Sequence, residues 1–517
     1  MMAENFYRKN WNIFYPEVNW TGPGPSYQGR EFQTVSYIAA LLYTLVGQHD
    51  WIGRSVAVVF GLWGIFALYQ LVRLVWDEKH AIVSAALMAL LPGSIFIERS
   101  FLPDSAMVAL VITSFWMLVA YLQTDCLRYL LLAGAVGTWG FLTKLPGLII
   151  GIPMAYATFV ILSRRQMLYS KKLIPIGIAA FLTIVPVTAY YLWARHLALS
   201  YPPYHFAGSG GWIWIDGLKK WWDQKYFLTG VIPILKSFWT LPIIYLAVFS
   251  LLFHPPRQEH NYKKSADNQV SVEDWIRVPW LFHWWILACV IYYLIGAKEL
   301  WDNPWNFHIF DPLVAVLAGR ALILLGSCTT QIVQSPASLS RIVALLLLLG
   351  WSGQKVLRML YTPRGAPSYN LGVALRQITQ PKDLVVTIAT DIGDPVAIYY
   401  SQRRGWVFPP AKPAASGNFA WKQLPEDDNE GIRLFEELRH RGAGWLGIAH
   451  WMGIIDEHPN DFWQDHPKLV EYIKHTCELK SKSRDWIIYR ILTPEEIARL
   501  DAQRMRRLIS AYTSGSK

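Results

Sequence analysis

Ten apolar runs dominate this chain, and their lengths leave few ways for it to fold. They lie near residues 52–76, 80–98, 105–122, 128–143, 145–163, 173–194, 230–253, 278–297, 309–326 and 340–358. A helix of about 20 apolar residues crosses the hydrocarbon core of a bilayer. In that medium each backbone N–H and C=O must find its partner within the protein, so successive runs fold as a helical bundle. The pattern predicts an all-α polytopic membrane domain of about ten spans. The charged fraction agrees: 16% of the residues are Asp, Glu, Lys or Arg, against about 25% in soluble domains.

Basic loops orient the bundle. Arg164, Arg165, Lys171 and Lys172 crowd one short loop, and Arg257, Lys263, Lys264 and Arg277 another. Cytoplasmic loops carry such an excess. Two spans separate the loops, so both fall on one side. Alternation then puts residues 1–51, the hinge at 99–104, the loops at 195–229 and 298–308, and the chain beyond 360 on the extracytoplasmic face. The net charge of +11 follows from such loops and from contacts to lipid headgroups. No nucleic-acid motif accompanies it, so nucleic acid is not an expected partner. The four cysteines, Cys126, Cys289, Cys328 and Cys477, are scattered and form neither a metal spacing nor a disulfide framework.

Three regions follow. Residues 1–51 form a Trp- and Tyr-rich first outer loop with interfacial helices. Residues 52–360 form the membrane domain. Residues 361–517 turn polar, with strand-like runs at Leu384–Ile388, Trp445–Ile448 and Trp486–Ile491. Helical patterns fall at Gly431–His440, Asp465–Ile473 and Pro494–Ile509, which together predict an extracytoplasmic α/β domain. Gly393-Asp394-Pro395 and Gly442-Ala443-Gly444 match no phosphate loop and read as turns.

Polar groups gather on the expected outer face: Glu31, Asp104, Lys144, His205, Lys219, Lys220 and His308. Ionisable groups at membrane depth are costly and mark function. A carboxylate there can take a proton from an attacking hydroxyl. Basic groups can hold an anionic leaving group such as a lipid phosphate. Carboxylate and imidazole together can bind a divalent metal. Cytoplasmic sugar nucleotides do not reach this face, so a lipid-linked phosphosugar is the natural donor. Each residue also has a plainer reading. Asp104 can cap its helix, Lys144 can snorkel to headgroups, and Glu31 can pair with a basic neighbour. Lys219 and Lys220 can touch lipid, and the two histidines can be ordinary interfacial ones.

The stretches AENFYRKNWNIFYPEVNW, GREFQ, ERSFLPDSAM and FLTKLPGLIIG resemble the polyprenyl-phosphate-sugar glycosyltransferases of the GT-C fold. The branch is glycosyltransferase family 39 and its relatives, with the protein O-mannosyltransferases and the lipid A aminoarabinose transferase. The resemblance covers the first 160 residues well and rests on hydropathy beyond them. It implies eleven or more spans and transfer of a hexosyl or pentosyl group from a polyprenyl monophosphate to an acceptor hydroxyl, with inversion. Glycans, lipids and proteins are the acceptor classes, and a bacterial inner membrane is the expected location. Asp104 then lies beside the active site, with Glu31 as a second acid that helps hold a metal in some members. Lys144 faces the donor phosphate. Lys219, Lys220, His205 and His308 remain substrate contacts, and a divalent metal is the one cofactor to look for.

Two departures from the family pattern carry expectations. The family's first acidic motif sits a few residues before its AxNFY stretch, but here Ala3–Tyr7 opens the chain. A first span and that acid are therefore expected upstream of Met1. Asn306–Pro312 replaces a His followed by paired tyrosines and Leu-Pro, which weakens the analogy for His308. A lipid or glycan transporter and a non-catalytic scaffold are the competing functions. The first should show midplane charges and repeated broken helices, but the polar groups cluster at one face.

Overall fold

The computed structural model describes the chain except residues 168–172, 206, 208–224, 226, 257–274, 303, 328–335, 363–364, 390–393, 412–423, 450–464 and 515–517. The N-terminal half runs α1 (Met2–Arg8), α2 (Thr34–Val46), α3 (Asp50–Val75), α4 (Glu78–Leu90), α5 (Pro92–Glu98), α6 (Asp104–Thr124), α7 (Leu127–Thr143), α8 (Gly151–Arg164) and α9 (Leu173–Ser200). Later membrane helices include Leu281–Asp302, Asp311–Ser327 and Pro336–Leu360.

Among the described residues, six helical segments are long and apolar enough to cross a membrane, or eight if each of two bent pairs is one span. These eight coincide with eight of the ten apolar runs. The other two runs carry the shorter helices Leu127–Thr143 and Leu281–Gly296, so of the ten expected spans six are single helices of full length, two are bent pairs and two are short helices. The chain is a multi-pass membrane protein.

One bend shapes the site. The axes of α4 and α5 differ by 68°. A proline ring drives the residue before it out of the helical region, and Leu91, before Pro92, is extended at φ −61°, ψ 121°. The turned helix α5 then ends on Glu98. Close packing holds it there. A Cβ added to Gly61 of α3 would lie 2.8 Å from Glu98 side-chain carbons, so only glycine lets the two approach. Helix α6 lies between α3 and α7 and is buried along most of its length, with Met107, Val111 and Phe115 in the core.

The tail folds around a five-stranded sheet in the order β2-β1-β3-β5-β4. The strands are β1 (Leu384–Ile388), β2 (Arg404–Val407), β3 (Ala443–Ala449), β4 (Cys477–Lys482) and β5 (Trp486–Ile491). β1 pairs in parallel with β2 and β3, and β5 pairs antiparallel with β3 and β4. Alternation along β1 serves two cores. Val386 packs with Leu434, Leu438 and Ile473; Val385 packs with Leu371, Leu375 and Ile398. The three expected strands are present, while β2 and β4 were not anticipated.

The segment between α1 and α2 joins this sheet. Thr21 bridges Trp406 antiparallel. Gly405 N–H donates to Asn19 O, Val407 N–H to Trp20 O, and Gly22 N–H to Gly405 O. The edge strand β2 is thereby covered, as exposed edges require. Arg404 donates to the Glu17 carboxylate at 2.6 Å and to the carbonyls of Gly22 and Gly24. Loop and tail therefore lie on the same side of the bundle.

Candidate active site

Helix ends bring the site together. Asp104 opens α6 after Pro103. Lys144 is the extended residue (φ −163°, ψ 130°) between α7 and the 3-10 turn Leu145–Ile150. Asn306 and His308 sit in the 3-10 turn Pro304–Phe310, and Asp311 starts the helix after it.

Lys144 Nζ donates to Asp104 Oδ1 and to Asn306 Oδ1, both at 2.7 Å. Asp104 is 1% exposed and Lys144 7%. Two of the plainer readings therefore fail. Pro103 holds the capping position and Asp104 turns to Lys144 instead. Lys144 is buried on a carboxylate rather than reaching for headgroups. Among the described residues, Asp104 Oδ2 is buried without a hydrogen-bond partner. One carboxylate oxygen is neutralised and the other is left to accept.

A second group adjoins it. His308 Nδ1 bonds Asp311 Oδ2 at 2.8 Å. An ionised carboxylate only accepts, so Nδ1 carries the proton. Trp239 Nε1–H donates to the other Asp311 oxygen at 2.6 Å. His308 Nε2 is buried, unbonded among the described residues, and 4.0 Å from Glu98 Oε1. Glu98 accepts from Ser94 Oγ. Glu98, Asn306, Asp311 and Trp239 were missed as candidates. Glu98 had a readable signal, since Leu91-Pro92-Gly93 breaks its span at the start of the short helix that ends on it. His308 and Asp311 stand three residues apart, the spacing of neighbours on one helical face.

Glu31 borders this centre. Phe32 N–H donates to Leu142 O, and the hydroxyls of Thr34 and Thr143 meet at 2.7 Å, which pins the loop to the end of α7. Tyr190 Oη–H donates to Glu31 O. Arg30 Nε lies 3.7 Å from the Glu31 carboxylate. Burial pushes the Glu31 carboxyl up, but Arg30, Lys144, its own backbone N–H and His205 outweigh it and hold it below the usual range. Burial, then Arg30, drives the His205 imidazole down to about 3, with Glu31 opposing. His205 is thus neutral near pH 7. Lys219 and Lys220 fall outside the described residues.

A metal at Glu31 does not fit. The cations Arg30 and Lys144 bear on that carboxylate, and among the described residues no three His, Cys, Asp or Glu side chains form a metal-holding group. No step below runs through a metal.

Two tests follow from this geometry. In Lys144→Met, Asp104 becomes a buried carboxylate without its cation. Breaking a buried pair costs about 3–5 kcal/mol, so the melting temperature should fall and should recover in part in the double variant with Asp104→Asn. The second test concerns acid. Unfolded His205 protonates near pH ~6.5, whereas the folded residue waits until about 3. The unfolded state binds more protons in that window, so this residue's contribution to stability falls as pH drops from ~6.5 towards 3. Melting curves at pH 7 and pH 5 should differ less in His205→Gln than in the wild type.

Residues 34–191 match the family described as dolichyl-phosphate-mannose-protein mannosyltransferase. No curated protein matches the chain significantly. Among solved structures, ArnT from Cupriavidus metallidurans bound to undecaprenyl phosphate is similar over 95% of this chain and 92% of its own, at 12% identity and a TM-score of 0.59. The Archaeoglobus fulgidus oligosaccharyltransferase, in complex with Zn and sulfate, matches over 95% of this chain and 68% of its own, at 14% identity and a TM-score of 0.52. The arabinofuranosyltransferase AftD from mycobacteria matches over 95% of this chain but only 37% of its own, at 12% identity and a TM-score of 0.52. Identities this low speak for the fold. The chain is a polytopic membrane protein of the GT-C glycosyltransferase fold, and its residues 34–191 carry the match to the mannosyltransferase family.

Proposed function

We propose that this protein is a membrane glycosyltransferase that moves a sugar from a polyprenyl-phosphate donor to an acceptor hydroxyl on the extracytoplasmic face. One observation carries the reading: a buried Asp104 with Oδ1 paired to Lys144 and Oδ2 free to accept. The family match at 34–191 and the undecaprenyl phosphate bound by the similar ArnT support the donor class.

Asp104 Oδ2 takes the proton of the acceptor hydroxyl as its oxygen attacks the anomeric carbon. The bond from that carbon to the phosphate oxygen breaks, and the electron pair leaves with the polyprenyl phosphate. The proton on Asp104 then passes to water. Lys144 and Arg30 supply positive charge for the phosphate as its charge grows. Glu31, kept ionised by its cationic neighbours, holds Arg30 and accepts hydrogen bonds from sugar hydroxyls. The Asp311–His308 pair holds the imidazole with Nε2 turned towards Glu98. The acceptors are glycans, lipids or proteins, and a bacterial inner membrane is the proposed location.

The test uses the full chain in nanodiscs with radiolabelled polyprenyl-phosphate mannose, glucose, galactose or arabinose. Release or transfer of label from at least one donor is expected. Complete inertness towards all of them, with the protein folded, would sink the reading.

A further inference from the structure

A polar cavity of about 440 Å³ opens between α1, the turn before α3 and the tail. Its size falls within the ~300–1,000 Å³ of small-molecule sites, but its walls lack the apolar lining usual there. Arg8 Nε and Nη2 both reach Gln48 Oε1, at 3.1 and 2.8 Å. Across the cavity, Tyr400 Oη–H donates to Asp50 Oδ2 at 3.3 Å. Arg376 and Gln402 complete the tail side, and Tyr399 packs against Tyr400 with ring centroids 4.9 Å apart.

The lining selects a ligand class. No aliphatic side chain contributes, so a lipid tail has nothing to pack on. Asp50 faces a strong anion, and Arg8 and Arg376 face a cation, so neither gains a matched field. What the wall presents is a set of donors and acceptors on amide, phenol, imidazole, carboxylate and guanidinium groups, beside tyrosine rings. That set matches an uncharged polyhydroxylated ligand.

We infer that this cavity binds a neutral sugar chain, the part of the acceptor that does not react. The inference rests on the glycosyltransferase reading above. Position favours an acceptor role. Asp50 opens α3, and one turn on, Gly53 leaves room for the Phe101 ring, which a Cβ there would meet at 2.4 Å. Phe101 belongs to the hinge that ends at Asp104. A ligand held at Asp50 therefore sits on the helix turn that packs against the hinge leading to the proposed base. The strand pairing of residues 19–22 with β2 links the N-terminal segment to the tail on which the cavity is built. Binding energy from such a remote subsite can be used to position the reacting hydroxyl.

The experiment uses the full chain in nanodiscs and a panel of neutral trisaccharides built from mannose, glucose, galactose or arabinose. Saturation-transfer NMR reads binding, and acceptor-independent hydrolysis of the donor reads the catalytic centre. A second arm replaces the soluble sugars with galactosyl diacylglycerol in the nanodisc, which separates a glycolipid headgroup from a free glycan. The variants are Arg376→Ala, exposed in the protein, and Gln402→Gly, where φ is 54° and glycine is tolerated. At least one arm should bind the wild type. The double variant should bind about tenfold more weakly, as expected for losing hydrogen bonds to a charged group, with donor hydrolysis unchanged. Absence of binding in both arms, or binding that survives the double variant, overturns the inference. Loss of donor hydrolysis in the wild type would instead overturn the enzyme reading.

Discussion

Asp104→Asn is expected to lower sugar transfer by about 10²–10⁴-fold, the span usual for a general base, while the protein still folds. The substitution keeps the shape and retains an oxygen for Lys144 Nζ to donate to, now 2.7 Å from Oδ1. It removes the basic oxygen at the position of Oδ2, which is buried and unbonded. A purely structural Asp104 would give the opposite split, with melting temperature falling and rate per folded molecule preserved. Initial rates and melting curves on the same preparation decide between them. A variant with the full wild-type rate would remove Asp104 from the mechanism.

Gly405→Val is expected to disable the site from a distance. A Cβ at Gly405 would lie 1.8 Å from the carbonyl oxygen of Val385 on β1, and a backbone atom cannot step aside as a side chain can. Overpacking of this kind costs about 1–3 kcal/mol or more. β2 should separate from β1 and carry with it the 19–22 segment whose hydrogen bonds run to Gly405 and Val407. The same loop leads to Glu31. Hydrogen exchange at Trp20 and Gly22 should accelerate about 10- to 100-fold, since each ~1.4 kcal/mol is a factor of ten, and transfer should drop although no site residue has changed. Arg404→Ala, which removes bonds to Glu17, Gly22 and Gly24, should act in the same direction and more weakly. Unchanged exchange at residues 19–22 in Gly405→Val would show that the loop holds without the tail.

Much of this architecture is legible in one sequence because a bilayer is a demanding solvent. Its thickness sets the run length and its dryness enforces helix, so each of the ten apolar runs carries helical structure. The tail is legible where strands are apolar. Leu384–Ile388 and Trp486–Ile491 have the expected bounds. β2 has four residues and an arginine and a glycine among them, and β4 reads CELKSK with mostly exposed side chains. Such segments are strands because neighbours pair with them, a property their own residues do not encode.

The same division runs through the site. Glu31, Asp104, Lys144, His205 and His308 stand out in the sequence because charge and imidazole beside apolar runs are expensive. Which of them meet is another matter. Asp104 and Lys144 are 40 residues apart and Lys144 and Asn306 are 162 apart, and their contact depends on α6, α7 and the 3-10 turn before Asp311 docking end to end. Glu98 enters only because Pro92 turns α5 by 68° and Gly61 lets it close. Local chemistry thus determined the spans, their ends and the residues worth suspecting. Tertiary packing decided the partners, because a buried charge is neutralised by whatever the fold places within about 3 Å of it, and sequence separation does not enter that distance.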